Sequence, residues 1–450
     1  MGGFLRLARD GGGWAAVALV LSFLTAEMSP THAIPAFARK YETSCQTCHI
    51  AYPRLTPFGE AFRLNGFRFP EGRDAEMEKS HPVSLGAEGY KKMWPKSVWP
   101  ADIPGLPPVS FLLATEAAYV PDSDTPSQFT EIEAELLAGG TVGDNVSFYG
   151  ELEFALELET NETETAIERA YISFLPWVKP VFGVKIGQFE PGIALVSNHR
   201  RLTGARYWLM RPPKGLAGSG EVVIDNAFQL EAPAQDGIEF WGIISHRALW
   251  NAGYVEGKFN ETNNAKDAYG RIAAKWGGMR LDGTVSEGQE LDIQTPQPWR
   301  ELSITASAFF YAGKSSLEVA AGPPQVLQDD DFTIAGVDVQ LNLNDFIVNA
   351  GFSSGNNDNP DVNGTFTDVD SVTMFAEVDW VAYPWLIPAL RYETFELTDG
   401  FSDDKRVRWV PAVNFLIRAN VKGFVSAEIE RERQGDFGTE EIEAGLTIVF

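Results

Sequence analysis

The sequence predicts an all-β protein: a large antiparallel transmembrane β-barrel of about 16–18 strands, preceded by a small N-terminal α-helical segment. Two observations carry this. From about Val109 onward, apolar and polar residues alternate at the period of a strand. The chain also holds 30 Phe, 12 Trp, 12 Tyr and 42 Gly, yet beyond its first residues no apolar run is long enough for a membrane-spanning helix.

The alternation is explicit. Ile132, Ala134 and Leu136 alternate with Glu131, Glu133 and Glu135, and Leu152, Phe154, Leu156 and Leu158 with Glu151, Glu153, Ala155, Glu157 and Glu159. Val337, Val339 and Leu341 alternate with Gly336, Asp338 and Gln340. Val372, Met374, Ala376, Val378 and Trp380 alternate with Thr373, Phe375, Glu377 and Asp379, and Val425, Ala427 and Ile429 with Ser426, Glu428 and Glu430. In a soluble sandwich the apolar face points inward, whereas in a transmembrane barrel it meets lipid and the polar face lines the lumen. The last strand favours the barrel. Ile442, Ala444, Leu446, Ile448 and Phe450 alternate to a terminal aromatic, as in the final strand of bacterial outer-membrane barrels. Residues 109–450, at ~20 per strand and turn, accommodate the expected strand number.

Residues 1–33 read as a secretory signal peptide. Arg6 and Arg9 form the positive region, Trp14–Leu24 is a short apolar stretch, and Thr31-His32-Ala33 fits a cleavage site, so the mature chain is expected to start at Ile34. An uncleaved anchor is the alternative, but the length and flanks suit a signal better. With the barrel pattern, this places the protein in the bacterial outer membrane.

The formal net charge is −26. It is unevenly spread: Arg39, Lys40, Arg54, Arg63 and Arg68 outnumber Glu42 and Glu60 in residues 34–70, and the remainder is strongly acidic. Such a body does not bind nucleic acid. It suits cations or a basic protein partner.

Cys45-Gln-Thr-Cys48-His49 contains the only two cysteines of the chain. C-x-x-C-H is the signature of covalent c-type haem attachment: two thiols add to the vinyl groups and the adjacent histidine ligates iron. A zinc site wants more ligands than adjacent Cys48 and His49 supply, and a redox dithiol wants a βαβ context that is absent. The expected cofactor is therefore one covalent haem c, with Cys45, Cys48 and His49 as its binding residues and His49 as the proximal ligand. Residues 34–70 are the monohaem cytochrome c segment. Within it, Thr56 and Pro57 open a helix whose Phe58, Ala61, Phe62 and Asn65 share one face, and Gly66 stops it. This segment is too short to bury a haem unaided. Residues 71–108, rich in proline, read as a connector packing on the haem and carry the distal candidates Met93, His81 and Met77. Met28 and His32 leave with the signal.

Residues 188–214 interrupt the alternation with Arg200, Arg201, Arg206, Arg211 and Lys214 against Glu190, and include His199. They either fold into the lumen or form an external loop. Arg39, Arg54, Arg63 and Arg68 pair either with haem propionates or with barrel carboxylates. The acidic inner faces are either a generic cation-selective wall or a collector of Fe²⁺ or of a basic cytochrome.

Ile34-Pro-Ala-Phe-Ala-Arg39, Cys45-Gln-Thr-Cys48-His49 and Pro57-Phe58-Gly59-Glu60-Ala61-Phe62-Arg63-Leu64-Asn65-Gly66-Phe67 together resemble the fused monohaem cytochrome–porin proteins of bacterial outer membranes. Iron-oxidising porin cytochromes are the best-known members. The close match covers residues 34–67; beyond it, only barrel character and length agree. The resemblance implies haem on Cys45 and Cys48, iron on His49, a haem segment at the periplasmic side or in the lumen of a barrel, and electron transfer across the outer membrane. The implied partners are an extracellular donor such as Fe²⁺, a periplasmic carrier such as a soluble cytochrome, and membrane lipid. The resemblance fixes neither the distal ligand nor the substrate. Two other readings stay open: a diffusion channel whose haem segment is a plug or redox sensor, and a haem enzyme such as a peroxidase, for which no distal acid–base group is evident. No catalytic residue is assigned; the expectation is an electron-transfer protein rather than a conventional enzyme.

Overall fold

A computed structural model describes residues 35–79, 83–84, 92–93, 102–103 and 108–450, except 122, 124–125, 158–161, 178, 214–227, 229, 231–233, 258–264, 286–290, 292, 294, 321–325, 361–366, 399–404 and 433–436. The expected signal peptide and much of the connector lie outside the described residues.

The sheet is a closed antiparallel barrel of 16 strands. In chain order they are β1 (Val109–Tyr119), β2 (Ser127–Val142), β3 (Val146–Glu157), β4 (Glu162–Phe174), β5 (Gly183–Phe189), β6 (Gln235–Ile244), β7 (Ala248–Val255), β8 (Asp267–Gly277), β9 (Leu302–Ala320), β10 (Val326–Leu343), β11 (Phe346–Asn357), β12 (Val369–Trp380), β13 (Leu386–Thr398), β14 (Lys405–Arg418), β15 (Val421–Glu432) and β16 (Gly438–Val449). Each pairs with its sequence neighbour, and β16 closes on β1 with Leu446 opposite Thr115. Phe450 completes the seam, exchanging backbone hydrogen bonds with Phe111 at 2.5 and 2.8 Å. The strand number therefore falls at the lower bound of the expected range, and the barrel's first strand begins at Val109.

The alternation sorts as a lipid-facing barrel requires. Along β12, Met374, Val378 and Trp380 are exposed while Thr373, Phe375, Glu377 and Asp379 are buried inside. Ile132, Leu136, Phe154, Val337 and Val425 are likewise exposed on the outer surface. Trp177, Trp276, Phe346, Trp380, Tyr383 and Trp385 are exposed near one end, with Phe346 stacked on Trp380 and Tyr383 on Trp385, the arrangement of an interfacial aromatic girdle. That same end carries the tight turns at 344–345 and 419–420 and the C-terminus. At 143 and 344 the turns place Gly143 and Asn344 in the left-handed region, which both residue types tolerate.

The lumen is filled from both ends. Residues 35–77 enter from the short-turn end as a plug containing α1 (Ala36–Tyr41), α2 (Cys45–Cys48), a small ribbon of residues 49–51 against 54–55, α3 (Pro57–Leu64) and α4 (Asp74–Met77). The plug is anchored around the wall. Ala36 N–H donates to Ser110 Oγ, Arg68 to the carbonyls of Gly143 and Val146, Asn65 to Asp282 O, Arg54 to Asn349 Oδ1, and Gln46 to Pro384 O. Ile50 and Ala51 pack with Leu202, Ile347, Ile387 and Ala412. The connection between β5 and β6 folds inward rather than outward. Its Tyr207, Leu209 and Met210 form a core with Tyr269, Phe309, Tyr311 and Phe375 from the wall.

Arg391 of β13 holds this loop. Its side chain is fully buried, 3.0 Å from Glu393 and 3.4 Å from Glu377, and donates to Thr203 Oγ1 and Ala205 O at 2.6 Å. It also lies over the Tyr207 ring, 4.1 Å from the centroid. Removing one partner of a buried ion pair leaves an uncompensated charge. Arg391→Ala is expected to destabilise the barrel by about 3–5 kcal/mol. The check is the denaturant midpoint for loss of compact gel mobility; an unchanged midpoint would contradict this role.

Candidate functional site

The site is built from the local chemistry of residues 44–59. Ser44 caps α2 by accepting from Gln46 N–H at 3.2 Å. Thr56 caps α3, accepting from Gly59 N–H at 3.1 Å, and its hydroxyl donates to Thr47 O at 2.7 Å. Thr56 N–H bonds Cys48 O at 2.9 Å. One fully buried threonine thus ties the helix start to the Cys45–Cys48 turn. Gly59 permits the approach: a Cβ there would stand 2.1 Å from Cys48 O. This explains why the helix carries glycine at its third position.

Cys45, Cys48 and His49 open onto one cavity of about 230 Å³ at the mouth of the barrel. Its walls are largely apolar: Phe37, Tyr41, Phe58, Phe62, Phe67 and Phe69 from the plug, and Leu137, Tyr149, Leu416 and Val449 from the barrel. Phe58, Phe62 and Phe69 pack on one another with ring centroids 5.3–6.1 Å apart. Of the expected helix face, Phe58 and Phe62 line the cavity, whereas Ala61 lines a smaller one and Asn65 bonds Asp282 O; the barrel completes the cavity's walls.

His49 is oriented by its backbone. Its Nδ1 lies 3.3 Å from Pro53 O, and a carbonyl only accepts, so Nδ1 carries the proton and Nε2 keeps its lone pair. Burial pushes the imidazole down to about 4, outweighing the Pro53 carbonyl and Glu60, which raise it. A neutral ring fixed through Nδ1 is what a metal-ligating histidine needs. Cys45 and Cys48 are not joined in a disulfide. Burial pushes Cys48 up to about 12, with Cys45 adding to the effect, and burial also raises Cys45. The residues fit haem c: a neutral histidine with an available Nε2, two thiols on the same turn, and an aromatic-lined cavity.

The distal candidates are not brought together. Met77 is half-buried against the Tyr41, Phe58, Phe62 and Phe69 cluster, but its sulfur accepts from Arg73 at 3.8 Å and it does not line the cavity. Met93 is 66% exposed and away from it. His81 lies outside the described residues. Asn420 and Lys422 of the β14–β15 region line the cavity instead. Nothing in the sequence pattern marks them, because they reach the site only through barrel closure.

The basic residues of the plug mostly bond the wall. Arg39 donates to Val109 O, and Arg68 to the carbonyls at 143 and 146. Arg54 lies 4.0 Å from Asp379. Arg63 pairs with Glu60 of its own helix at 2.9 Å, while still lining the cavity. The inner carboxylates are not a bare acidic wall either: Arg169 meets Glu151, Lys185 meets Glu239, Lys275 meets Glu301, and Arg408 meets Glu393 and Glu428.

No protein-family model matches the chain. No curated protein matches it. Among solved structures, the chain is similar to the trimeric form of OmpT, an outer membrane protein of Vibrio cholerae, with a TM-score of 0.50 and 13% identity over 76% of this chain and 98% of that one. An anion-selective porin from Comamonas acidovorans gives a TM-score of 0.49 and 11% identity over 76% of this chain and 98% of that one. The first likeness shows the fold. That fold is a closed antiparallel β-barrel, and the exposed apolar belt is what a barrel spanning a membrane presents to lipid.

Burial alone would raise the Glu60 carboxyl, but Arg63, Arg200 and Arg54 hold it down at about 2. The unfolded carboxyl titrates at its ordinary value, 4.5. Between these values the unfolded state binds more protons, so stability falls as pH falls. The plug's resistance to protease is therefore expected to be level above pH 4.5 and to decline from there toward pH 2. Glu60→Gln should flatten that decline; an identical profile in the variant would contradict the assignment.

Proposed function

We propose that this protein is an outer-membrane electron conduit, passing electrons between an extracellular donor such as Fe²⁺ and a periplasmic carrier such as a soluble cytochrome. Cys45 and Cys48 would hold one haem c through thioethers, and His49 Nε2 would ligate its iron. Bound there, haem c supplies a one-electron ferric–ferrous couple. The chain's own residues fix the His49 tautomer through Pro53 and exclude water with the Phe58, Phe62 and Phe69 wall. They also leave one side of the cavity facing the barrel mouth.

The observation that carries this reading is the convergence of Cys45, Cys48 and His49 on that cavity. Orientation supports it: barrels place short turns toward the periplasm and longer loops outside, and here the tight turns, the C-terminus and the plug share one end. The haem would then stand at the periplasmic mouth, within reach of a soluble carrier.

A second reading, a diffusion channel with a removable plug or sensor, is favoured by the porin-type barrel. Among the described residues, cavities of about 90 and 60 Å³ lie between the plug and the inward loop, and the plug bonds the wall on several sides, so solute passage past it would have to break those contacts.

Haem staining after denaturing electrophoresis is expected in the wild type and lost in the Cys45→Ala, Cys48→Ala double variant; full staining in the variant refutes covalent attachment. In vesicles with an oxidised cytochrome trapped on the plug side, adding Fe²⁺ on the other side should reduce it. His49→Ala should form the barrel but lose this transfer. Equal transfer by both proteins would replace the conduit with the plugged channel.

A further inference from the structure

Three arginines from separate elements converge between the plug and the inward loop: Arg63 on α3, Arg200 on the loop and Arg271 on β8. All three line both of the small cavities there. The carboxylates around these cavities are engaged elsewhere. Glu60 takes both Nε and Nη2 of Arg63 at 3.2 and 2.9 Å. Glu190 accepts from Ser197 Oγ and lies 3.5 Å from His199 Nδ1. Glu239 takes Lys185 at 2.6 Å and Tyr269 at 2.7 Å.

Two guanidinium groups are left over. Among the described residues, that of Arg200 makes no hydrogen bond or ion pair, although Glu60 and Glu190 lie in its field. Burial, then the neighbouring Arg63, push it below its ordinary value, against Glu60 and Glu190, which raise it. Arg271 makes one bond, from Nη1 to Ala194 O at 2.9 Å, and its Nε is buried with no partner. Unpartnered buried donors and like charges confined together are both costly. The missing component is a negative charge with several acceptor oxygens, for which the planar guanidinium fork is the matching donor. Each cavity also exceeds the volume one water needs.

We propose that Arg63, Arg200 and Arg271 bind one small oxyanion between the plug and the inward loop. The chemistry is that of a phosphate, a sulfate or a carboxylate. The ion bonds three elements at once, so it acts as a latch holding the plug against the loop and wall. Arg63 also lines the larger cavity, so a carboxylate of a bound cofactor is the one other source of the same chemistry.

The test uses the full-length protein in detergent, purified free of phosphate and titrated calorimetrically with inorganic phosphate at fixed ionic strength. Saturable binding of about one phosphate per chain is expected, together with slower proteolysis of the plug. Arg200→Gln and Arg271→Gln should each weaken binding by about tenfold or more, while Lys79→Gln, at an exposed position, should leave it unchanged. Heat-modifiable gel mobility checks that each variant still forms its barrel; if Arg271→Gln does not, Arg200→Gln, which lies outside the strands, decides. No saturable binding by the wild type, or undiminished binding by a folded Arg200→Gln, overturns the proposal. Binding by the Cys45→Ala, Cys48→Ala variant but not by the wild type assigns the arginines to a cofactor carboxylate and overturns the free-ion site.

Discussion

The constraint on which this architecture rests is that hydrocarbon cannot solvate an open strand edge. Every backbone group in the membrane must find its partner within the sheet, so β16 has to close on β1, and Phe450 pairs with Phe111 at the seam. Closure with an antiparallel, even strand number brings both ends of the sheet to one mouth. The sheet therefore begins where the C-terminus ends, and residues 35–77 lie at that mouth beside Lys422, Thr447 and Val449. A segment too small to enclose the cavity alone is completed by the rim of the barrel.

Closure also creates an interior that has to be filled. The lumen-facing positions are polar because the outward positions must be apolar, yet a packed lumen removes those polar groups from water. The fold answers with ion pairs and backbone carbonyls. Arg391 and Arg408 together bridge Glu377, Glu393 and Glu428 and the carbonyls of residues 205 and 206. The inward loop exposes main-chain groups that these charges satisfy, and carries Tyr207, Leu209 and Met210 into an apolar core of its own. Buried charge here selects a geometry more than it adds stability, since such pairs are offset by their desolvation.

Much of the fold was legible because it depends on local periodicity. The rows at 132–136, 152–157, 337–341, 372–380 and 425–429 follow from a period of two, and the structure puts each in the wall; Leu158 and Glu159 lie outside the described residues. The helix after Thr56 was legible from its cap, its proline and its apolar spacing, and it runs Pro57–Leu64. The C-x-x-C-H motif marked the site because its chemistry is confined to five consecutive residues. What was not legible depends on contacts made through closure. Asn420 and Lys422 reach the cavity from about 370 positions away along the chain, and no sequence spacing announces that. The inward course of residues 190–213 was equally hidden: its basic residues fit an external loop as well as a lumenal one until Arg391, Asn414 and Glu393 are seen to receive its backbone. Of the distal candidates, Met77 and Met93 do not line the cavity and His81 lies outside the described residues, since proximity in sequence to Cys48 says little about which side chain faces His49.

The plug couples these two halves of the problem. Its aromatic face turns toward the cavity at the mouth, and the opposite face of α3 carries Glu60 and Arg63 toward the inward loop. Gly59 sits between the two, where any side chain would strike the Cys48 carbonyl. The helix is thus pinned to the Cys45–His49 turn on one side and to the charged interior on the other. Thr56 links helix and turn, bonding Gly59 of the helix and the Thr47 and Cys48 carbonyls of the turn. The plug's orienting contacts are therefore continuous with the packing of the barrel's interior, so the turn and the wall are held as one unit.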